Sequence, residues 1–470
     1  MYRDVKMLID KKHEFYDYFD DLAHKANNLY NAGLFRARNI LTGIGKSKKE
    51  RFPNEKNVLA EMGVTIAKQK GIKHPTKEEP YVEYNFLYHM MYVNKNPDYF
   101  CEGMPAQTGQ QILKNVVQNM KSYYKASKEY ERYPKKFLGE PKLPDYKKSG
   151  GISSFMFTNQ QVLKKQDYYR FPGTKLRLPL FDYIKNSWKL KEVKVIPVHK
   201  HYMLHLIFDD EQPVKSVQEI SERICAIDLG VNNFAAITTN LGLPGLLVKG
   251  GGIKSINHWY NKQIGRIQSN QLIGTHNKFR STNEFRRIVL KRNCVMDDLM
   301  HKVAKYVVAY CVSHNIDTLV VGENKGWKQH MDGLVNKKLP HSNQNRQNMA
   351  QIPHNKFKNM LEYWCAREGI RYIRHEEAYT SQASYKDRDC MKKSRHGGDL
   401  KFSGVRGPVY YLGQYKENGF HGLYRCHDGT ILNSDLNGSA NIGRKVFSDY
   451  NCSLDTFRNV QVILPEQIYR

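Results

Sequence analysis

The sequence predicts a multi-domain α/β protein, in which a helical segment and a β module precede a sheet with helices on both sides. Three observations predict this fold class. The length of 470 residues suggests about two to four domains. Hydrophobic residues make up 40% of the chain, which is enough for packed cores and excludes a disordered chain. Segments with helical spacing come first, and strand-like segments alternate with helices after Arg223.

The first 220 residues predict a strand, then helices, then a β module. The apolar segment 5–9 has strand character, and apolar residues in 11–41 recur at three- and four-residue spacing. From residue 134, Pro and Gly punctuate a basic linker, and segments such as 202–208 alternate apolar and polar residues. We therefore expect an antiparallel β-barrel that the first strand joins and that a helical insertion interrupts.

Beyond residue 223, short apolar segments alternate with longer helical patterns. Strands are predicted at 224–228, 234–238, 318–323 and 371–373, and helices at 253–272, 283–314, 353–368 and from Asp435 onward. A Gly- and Lys-rich stretch at 381–429 separates the last two of these regions. Such strands with intervening helices predict a mixed α/β layer.

The chain carries a large surplus of positive charge. It has 74 Lys and Arg against 46 Asp and Glu, a formal net charge of +28. A polyanion relieves such self-repulsion, and each cation that meets a phosphate releases a counterion, so nucleic acid is the expected partner. A basic surface that is merely solvated is the alternative. The sequence has no apolar run of about 18 residues and no signal-peptide pattern, so we expect no membrane partner and a cytoplasmic, nucleoid-associated protein.

One predicted helix combines cations with aromatic side chains. It follows residues 104–106 and has one apolar face, while its other face carries Lys114, Lys121 and Lys125. Tyr124 lies among these lysines. Cations hold phosphates while aromatic faces stack on bases, so the four residues are candidate nucleic-acid ligands. Packing at the edge of a core is the alternative for any single tyrosine.

Three carboxylates carry the candidate chemistry. Asp228 and Glu323 each end an apolar strand-like segment, and Asp435 lies at a predicted helix start. Mg²⁺ prefers carboxylate oxygens, and two ions about 3.5–4 Å apart can activate a water and stabilise the leaving oxygen of a phosphodiester. Alone, Asp435 could be a helix cap, and an Asp-x-Gly turn also occurs in sugar-kinase-like ATPases. The charge of +28 disfavours such a kinase.

With their flanking residues, the three acids resemble the RuvC-like nuclease of TnpB proteins. These are transposon-encoded RNA-guided endonucleases related to the miniature type V CRISPR effectors. The resemblance covers 223 to about 446 well and 104–162 loosely. It rests on DLGVN at 228–232, LVVGE at 319–323, YTSQ at 379–382 and DLNGSANI at 435–442.

This resemblance implies a domain order and a mechanism. The implied domains are a wedge β-barrel over 1–10 and 134–220, a helical recognition lobe over 11–133, an RNase H-like RuvC nuclease over 221–379 and 431–470, and a target-nucleic-acid-binding insert over 380–430. Asp228, Glu323 and Asp435 would hold two Mg²⁺ ions, for which Mn²⁺ can substitute. A guide RNA from a transposon end or a CRISPR array would pair with double-stranded target DNA, and the single centre would cut both strands.

The sequence departs from the family pattern in the insert. Family members usually carry two Cys-x-x-Cys pairs there, whereas this chain has no first pair and only Cys426 at the second. Cys390, His396 and His427 lack the spacing of paired zinc ligands, so we expect a zinc-free insert. Its cations would instead bind phosphate, with a solvated charged loop as the alternative. These cations are Lys392, Lys393, Arg395, Lys401 and Arg406.

Two rival functions share this framework. One is a nuclease-inactive, RNA-guided DNA-binding repressor, although a protein without catalysis has no physical need for clustered acids that repel one another. The other is an unguided transposase or nuclease, which would work without bound RNA. RNA that co-purifies with the protein distinguishes the guided functions from the unguided one.

Overall fold

The computed structural model divides into two compact units, Met1–Gln212 and Pro213–Arg470. The sequence predicted this boundary at residue 220. The structure describes all residues except 214, 217–221, 273–280, 325–346, 348, 393–399, 408, 412–413, 417–421 and 469–470, and it describes only the backbone of 272, 409–411 and 414–416. Among the described residues, no helix is long and apolar enough to cross a membrane.

Four helices occupy most of the first 133 residues. They are α1 (Tyr16–Gly43), α2 (Pro53–Lys68), α3 (Tyr84–Val93) and α4 (Ala106–Arg132). Phe19, Leu22 and Ala26 of α1 are almost fully buried, as their helical spacing predicts. Gly33 of α1 lets α4 approach closely, because a Cβ at this position would lie 3.0 Å from the side chain of Leu113.

The β module of the first unit forms two sheets. Its strands are β1 (Tyr2–Ile9), β2 (Phe155–Thr158), β3 (Leu163–Lys164), β4 (Tyr168–Arg170), β5 (Arg177–Pro179), β6 (Lys189–Val198) and β7 (His201–Asp209). The orders are β1-β7-β6-β2 and β3-β4-β5, and β1 pairs antiparallel with β7 along its whole length. The predicted closed barrel is not formed by hydrogen bonds between the described strands. The strands β3–β5 have only two or three residues each, which is too short to bridge the edges β1 and β2.

A six-stranded sheet forms the centre of the second unit. Its order is β12-β11-β8-β9-β10-β18, and β8, β11 and β12 run parallel. The bounds are β8 (Ile224–Leu229), β9 (Asn233–Thr239), β10 (Leu246–Lys249), β11 (Thr318–Glu323), β12 (Arg371–Glu376) and β18 (Gln461–Ile463). Strands β8 and β11 are buried on both faces, which explains why their sequences are nearly continuous apolar runs.

Helices cover both faces of this sheet. They are α5 (Gly251–Leu272), α6 (Asn283–Ser313), α7 (His354–Glu368), α8 (Ser434–Val446) and the short α9 (Asp455–Arg458). On one face, Phe357 of α7 packs in one core with Ile227 and Val321. On the other, Ile442 of α8 packs in a second core with Ala226. We call these the α7 face and the α8 face.

The remaining elements are short. The insert contains β13 (Val405–Arg406), β14 (Val409–Tyr411), β15 (Gln414–Lys416), β16 (Leu423–Arg425) and β17 (Ile431–Asn433). They form a three-stranded sheet of order β13-β16-β17 and the two-stranded sheet β14-β15. Pro134–Lys136 and Pro465–Gln467 form 3-10 turns. Strand β17 leads directly into α8, so the insert and the helix that carries Asp435 are continuous.

Candidate active site

The central strand β8 places Asp228 at the edge of the sheet where its carboxyl end lies. Strand β8 runs parallel to β11, with Ile227 paired to Val321, so Asp228 and Glu323 end neighbouring strands at this edge. Successive side chains of a strand point to opposite faces. Ala226 lies in the core of the α8 face, and Asp228, two residues later, therefore continues on that face.

Helix α8 brings Asp435 to the same edge. Asn433 caps the helix, because its side-chain oxygen accepts hydrogen bonds from the backbone N–H groups of Asp435 at 3.0 Å and Leu436 at 3.1 Å. The Ser439 hydroxyl donates to the carbonyl oxygen of Ala226 at 2.9 Å and so fixes the helix against β8. The sequence predicted this helix start, and the cap explains why the chain turns there.

The two aspartates lie close enough to repel one another. Gly438 allows the approach, since a Cβ at this position would lie 2.5 Å from Oδ2 of Asp228. Burial raises the pKa of Asp228 well above its usual range, and the charges of Glu377 and Asp435 raise it further, while Arg406 opposes them. Asp228 is therefore a half-buried carboxylate that is costly to ionise without a nearby cation.

Polar partners hold the carboxylate of Asp435 from both sides. The Asn233 amide donates to Oδ2 at 2.8 Å, and Arg406 of β13 forms an ion pair with Oδ1 at 3.2 Å. Lys249 donates in turn to the side-chain oxygen of Asn233 at 3.0 Å. The insert thus supplies the positive charge that faces Asp435 in this structure.

Glu323 lies at the same edge but follows the other face. It continues the alternation of Leu319 and Val321, which belong to the core of the α7 face. Its charge acts on Lys358 of α7, whereas Asp228 and Asp435 lie beside α8. The structure therefore brings two of the three predicted acids together and places the third at the adjoining strand end.

The donor chemistry of this edge fits a hard divalent ion. Carboxylate oxygens are the ligands that Mg²⁺ prefers, and the space that Gly438 leaves open is occupied by a carboxylate oxygen. As the side chains stand, the described residues contain no group of three or more His, Cys, Asp or Glu side chains that could hold a metal ion. Because Arg406 and Asn233 engage both oxygens of Asp435, an ion bound there would have to displace at least one of them.

Two family models match this unit. The model OrfB_IS605, described as a probable transposase, matches residues 208–328, which contain Asp228 and Glu323. The model of the Cas12f1-like TNB domain matches residues 354–442, which contain Asp435. The chain is a TnpB-like protein. Both matches overlap the stretch from 223 to about 446 in which the sequence resembles this family, so the resemblance is confirmed.

Solved structures with low sequence identity cover most of the TnpB-like chain. "Cryo-EM structure of the Cas12f1-sgRNA-target DNA complex" is 14% identical, covers 94% of this chain and 98% of that chain, and has a TM-score of 0.33. "Cryo-EM structure of CRISPR-Cas12f Ternary Complex" is 14% identical, with coverages of 94% and 83% and a TM-score of 0.34. "Crystal structure of AacC2c1-sgRNA binary complex" is 9% identical, with coverages of 92% and 71% and a TM-score of 0.31. Scores at this level do not establish a shared fold. No curated protein matches the chain.

The predicted nucleic-acid ligands of the TnpB-like protein differ in their surroundings. Lys114, Lys121 and Lys125 are exposed on α4, as predicted. The ring of Tyr124 instead packs against Tyr81, with centroids 4.1 Å apart, and its buried hydroxyl has no hydrogen-bond partner among the described residues. This contact favours the packing interpretation for Tyr124.

The insert shows a similar mixture. Lys392 and Lys401 are exposed, and Arg406 binds Asp435. Lys393 and Arg395 lie outside the described residues, as does the candidate zinc ligand His396. Cys390 is exposed and Cys426 is buried. The expectation of a zinc-free insert stays a prediction.

Sequence reasoning missed four residues at this edge. Glu377 follows β12, Lys358 lies on α7, and Asn233 and Lys249 form the chain of hydrogen bonds that ends at Asp435. Glu377 and Lys358 gave no signal, because each resembles an ordinary charged residue of a loop or a helix surface. Asn233 belongs to the DLGVNN motif and could have been found by its proximity to Asp228 in the sequence.

Asp228→Asn is expected to stabilise the metal-free protein at neutral pH. Because the pKa of Asp228 is raised, the folded state binds this proton more tightly than the unfolded chain does. The resulting destabilisation is absent below about pH 4 and grows as the pH rises through the raised pKa, so the gain from asparagine grows in the same direction. Thermal unfolding in a chelator from about pH 5 to 8 measures it, at roughly 2–4 °C for each kcal/mol. Asp449→Asn, at an exposed site, is the control. An equal gain at all pH values would contradict the assignment.

Proposed function

We propose that this TnpB-like protein is an RNA-guided, Mg²⁺-dependent DNA endonuclease with one RuvC-like centre built from Asp228, Glu323 and Asp435. The meeting of Asp228 and Asp435 at one edge of the central sheet carries the proposal. Two half-buried carboxylates that repel each other reduce stability, and such groups are concentrated at functional sites. Here they lie within the region that the two family models match.

The residues of the site have distinct roles in this proposal. When bound, two divalent ions would activate the attacking water and stabilise the leaving oxygen of the phosphodiester. Asp228 and Asp435 would hold them, with Glu323 at the neighbouring strand end. Asn233 would orient the carboxylate of Asp435, to which it is hydrogen-bonded. Arg406, released from Asp435, would contact a phosphate of the DNA, for which its fork of donors is well suited.

The charge of the chain supports nucleic-acid partners. The net charge of +28 and the exposed lysines of α4 favour phosphate contacts. A guide RNA would pair with the target strand of double-stranded DNA, so base pairing would supply sequence specificity and the protein would contact the backbone. The TnpB relationship supports this division of labour.

RNA extraction followed by programmed cleavage tests the proposal. RNA that co-purifies with the protein is sequenced, and DNA with a matching or a scrambled target is incubated with the complex in Mg²⁺ or in a chelator. The proposal predicts a defined RNA and cleavage of the matching DNA only, dependent on Mg²⁺. Cleavage after ribonuclease treatment would indicate an unguided nuclease, and guided binding without cleavage would indicate a repressor. Either result would overturn the proposal.

A further inference from the structure

Glu377 places another carboxylate on the face that carries Asp228. Strands β11 and β12 pair in parallel register, with Glu323 opposite Glu376. Glu376 is exposed, and alternation directs the next residue to the other face. The carboxylate of Glu377 lies over Gly322, where a Cβ would be 2.1 Å from Oε2 of Glu377 and 2.8 Å from Ile442 of α8. Glu377 is therefore on the α8 face.

Glu377 is also the carboxylate that acts most strongly on Asp228. After burial, its charge is the largest cause of the raised pKa of Asp228, ahead of Asp435. The pKa of Glu377 itself is raised by burial, against the opposing charges of Lys358 and Lys445. The Asn324 amide donates to Oε1 of Glu377 at 2.6 Å and orients this carboxylate. Asp435, Asp228 and Glu377 thus form a row of three mutually repelling acids.

A buried cation faces the same row. Lys358 of α7 is only 6% exposed, and the charges of Glu377, Glu323 and Asp228 all act on it. Its ammonium group makes no hydrogen bond or ion pair within 4 Å to any described residue. A buried charge without a direct partner is costly, so this arrangement is explained best by a ligand that completes the site. Positive charge is concentrated where the acids meet, independently of Arg406.

We propose that Glu377 is a fourth carboxylate of the metal centre, and that it binds a divalent ion together with Asp228 on the α8 face. The inference rests on the proposed function, since it concerns ligands of the same centre. Burial over Gly322, the position beside α8 and the hydrogen bond from Asn324 hold the Glu377 carboxylate near Asp228. Glu323, which follows the α7 face, contributes from the adjoining strand end.

Two isosteric variants test this assignment. Glu377→Gln removes one charge, and Glu376→Gln removes the same charge from the exposed neighbour on the opposite face. Mn²⁺ binding to the full-length protein with its RNA is measured by electron paramagnetic resonance, together with cleavage of a matching target. We expect Glu377→Gln to weaken Mn²⁺ binding by about tenfold or more, and Glu376→Gln by less than about twofold. Equal Mn²⁺ affinity of the two variants would overturn the inference.

The outcomes separate this inference from the proposed function. Wild-type protein that neither binds Mn²⁺ nor cleaves would refute the function itself. Wild-type cleavage that is lost in Asp228→Ala but unchanged in Glu377→Gln would refute only the role of Glu377. If Glu377→Gln does not fold, Glu377→Asp replaces it, because the shortened side chain keeps the charge and withdraws the oxygens. Weaker Mn²⁺ binding by Glu377→Asp supports the assignment, and unchanged binding overturns it.

Discussion

Asp228→Ala is expected to abolish DNA cleavage while leaving guided DNA binding unchanged. The substitution removes a ligand from the centre of the acid row and leaves the basic surfaces intact. A metal centre stabilises developing charge by several kcal/mol, and each 1.4 kcal/mol is a factor of ten, so cleavage should fall by roughly 10³-fold or more. Single-turnover cleavage and a binding assay on the same matching DNA measure the two effects separately.

Asp449→Ala is the matched control for this experiment. Asp449 is an exposed acid of the same unit, and its loss removes the same charge from the protein. Cleavage by this variant should remain within about twofold of wild type, as is usual for surface substitutions. Cleavage that survives Asp228→Ala would place the active site elsewhere in the chain.

RNA binding is expected to weaken steeply with salt. With a net charge of +28, the protein should neutralise several phosphates and release their counterions. Between about 50 and 200 mM NaCl, six or more such contacts weaken binding by roughly 10³-fold or more. Titration of the RNA-free protein with its guide RNA at several salt concentrations gives the slope. A flat response would contradict a phosphate-contacting surface.

A triple variant assigns part of that slope to α4. Replacing Lys114, Lys121 and Lys125 by Gln should reduce the slope by about 0.7–0.9 for each phosphate that the protein no longer neutralises. The control replaces three lysines of β6 that already face acids. These pairs are Lys189 with Glu211, Lys191 with Asp209 and Lys194 with Glu192. Because their charge is already compensated, the control should change the slope less, and equal changes would refute a specific role for α4.

The elements with strong periodicity could be predicted from the sequence. Strands β8 and β11 are apolar runs because both of their faces are buried, and the helical spacing of Phe357 and Leu361 predicts α7. Strand β12 was predicted only as far as Ile373, because the polar residues that follow resemble a loop. The structure continues the strand to Glu376, since it pairs with β11 to the end.

The site was predictable only where a carboxylate followed a recognisable element. Asp228 and Asp435 met that condition, and the structure brings them together. Glu377 did not, because its position depends on the register between β11 and β12, which local sequence does not reveal. Lys358 follows the inward-facing Phe357 and resembles a surface lysine, and only the packing of α7 against the acids buries it. The two sheets of the first unit differ from the predicted barrel for the same reason, since strand pairing is non-local.

Anomalous X-ray scattering from crystals soaked in Mn²⁺ tests the central claim most directly, because it locates the ions without reference to activity. The account predicts anomalous peaks in contact with the carboxylates of Asp228 and Asp435, with Arg406 displaced from Asp435. Peaks found only elsewhere, with Asp228 and Asp435 still without an ion at a Mn²⁺ concentration that supports cleavage, would contradict it.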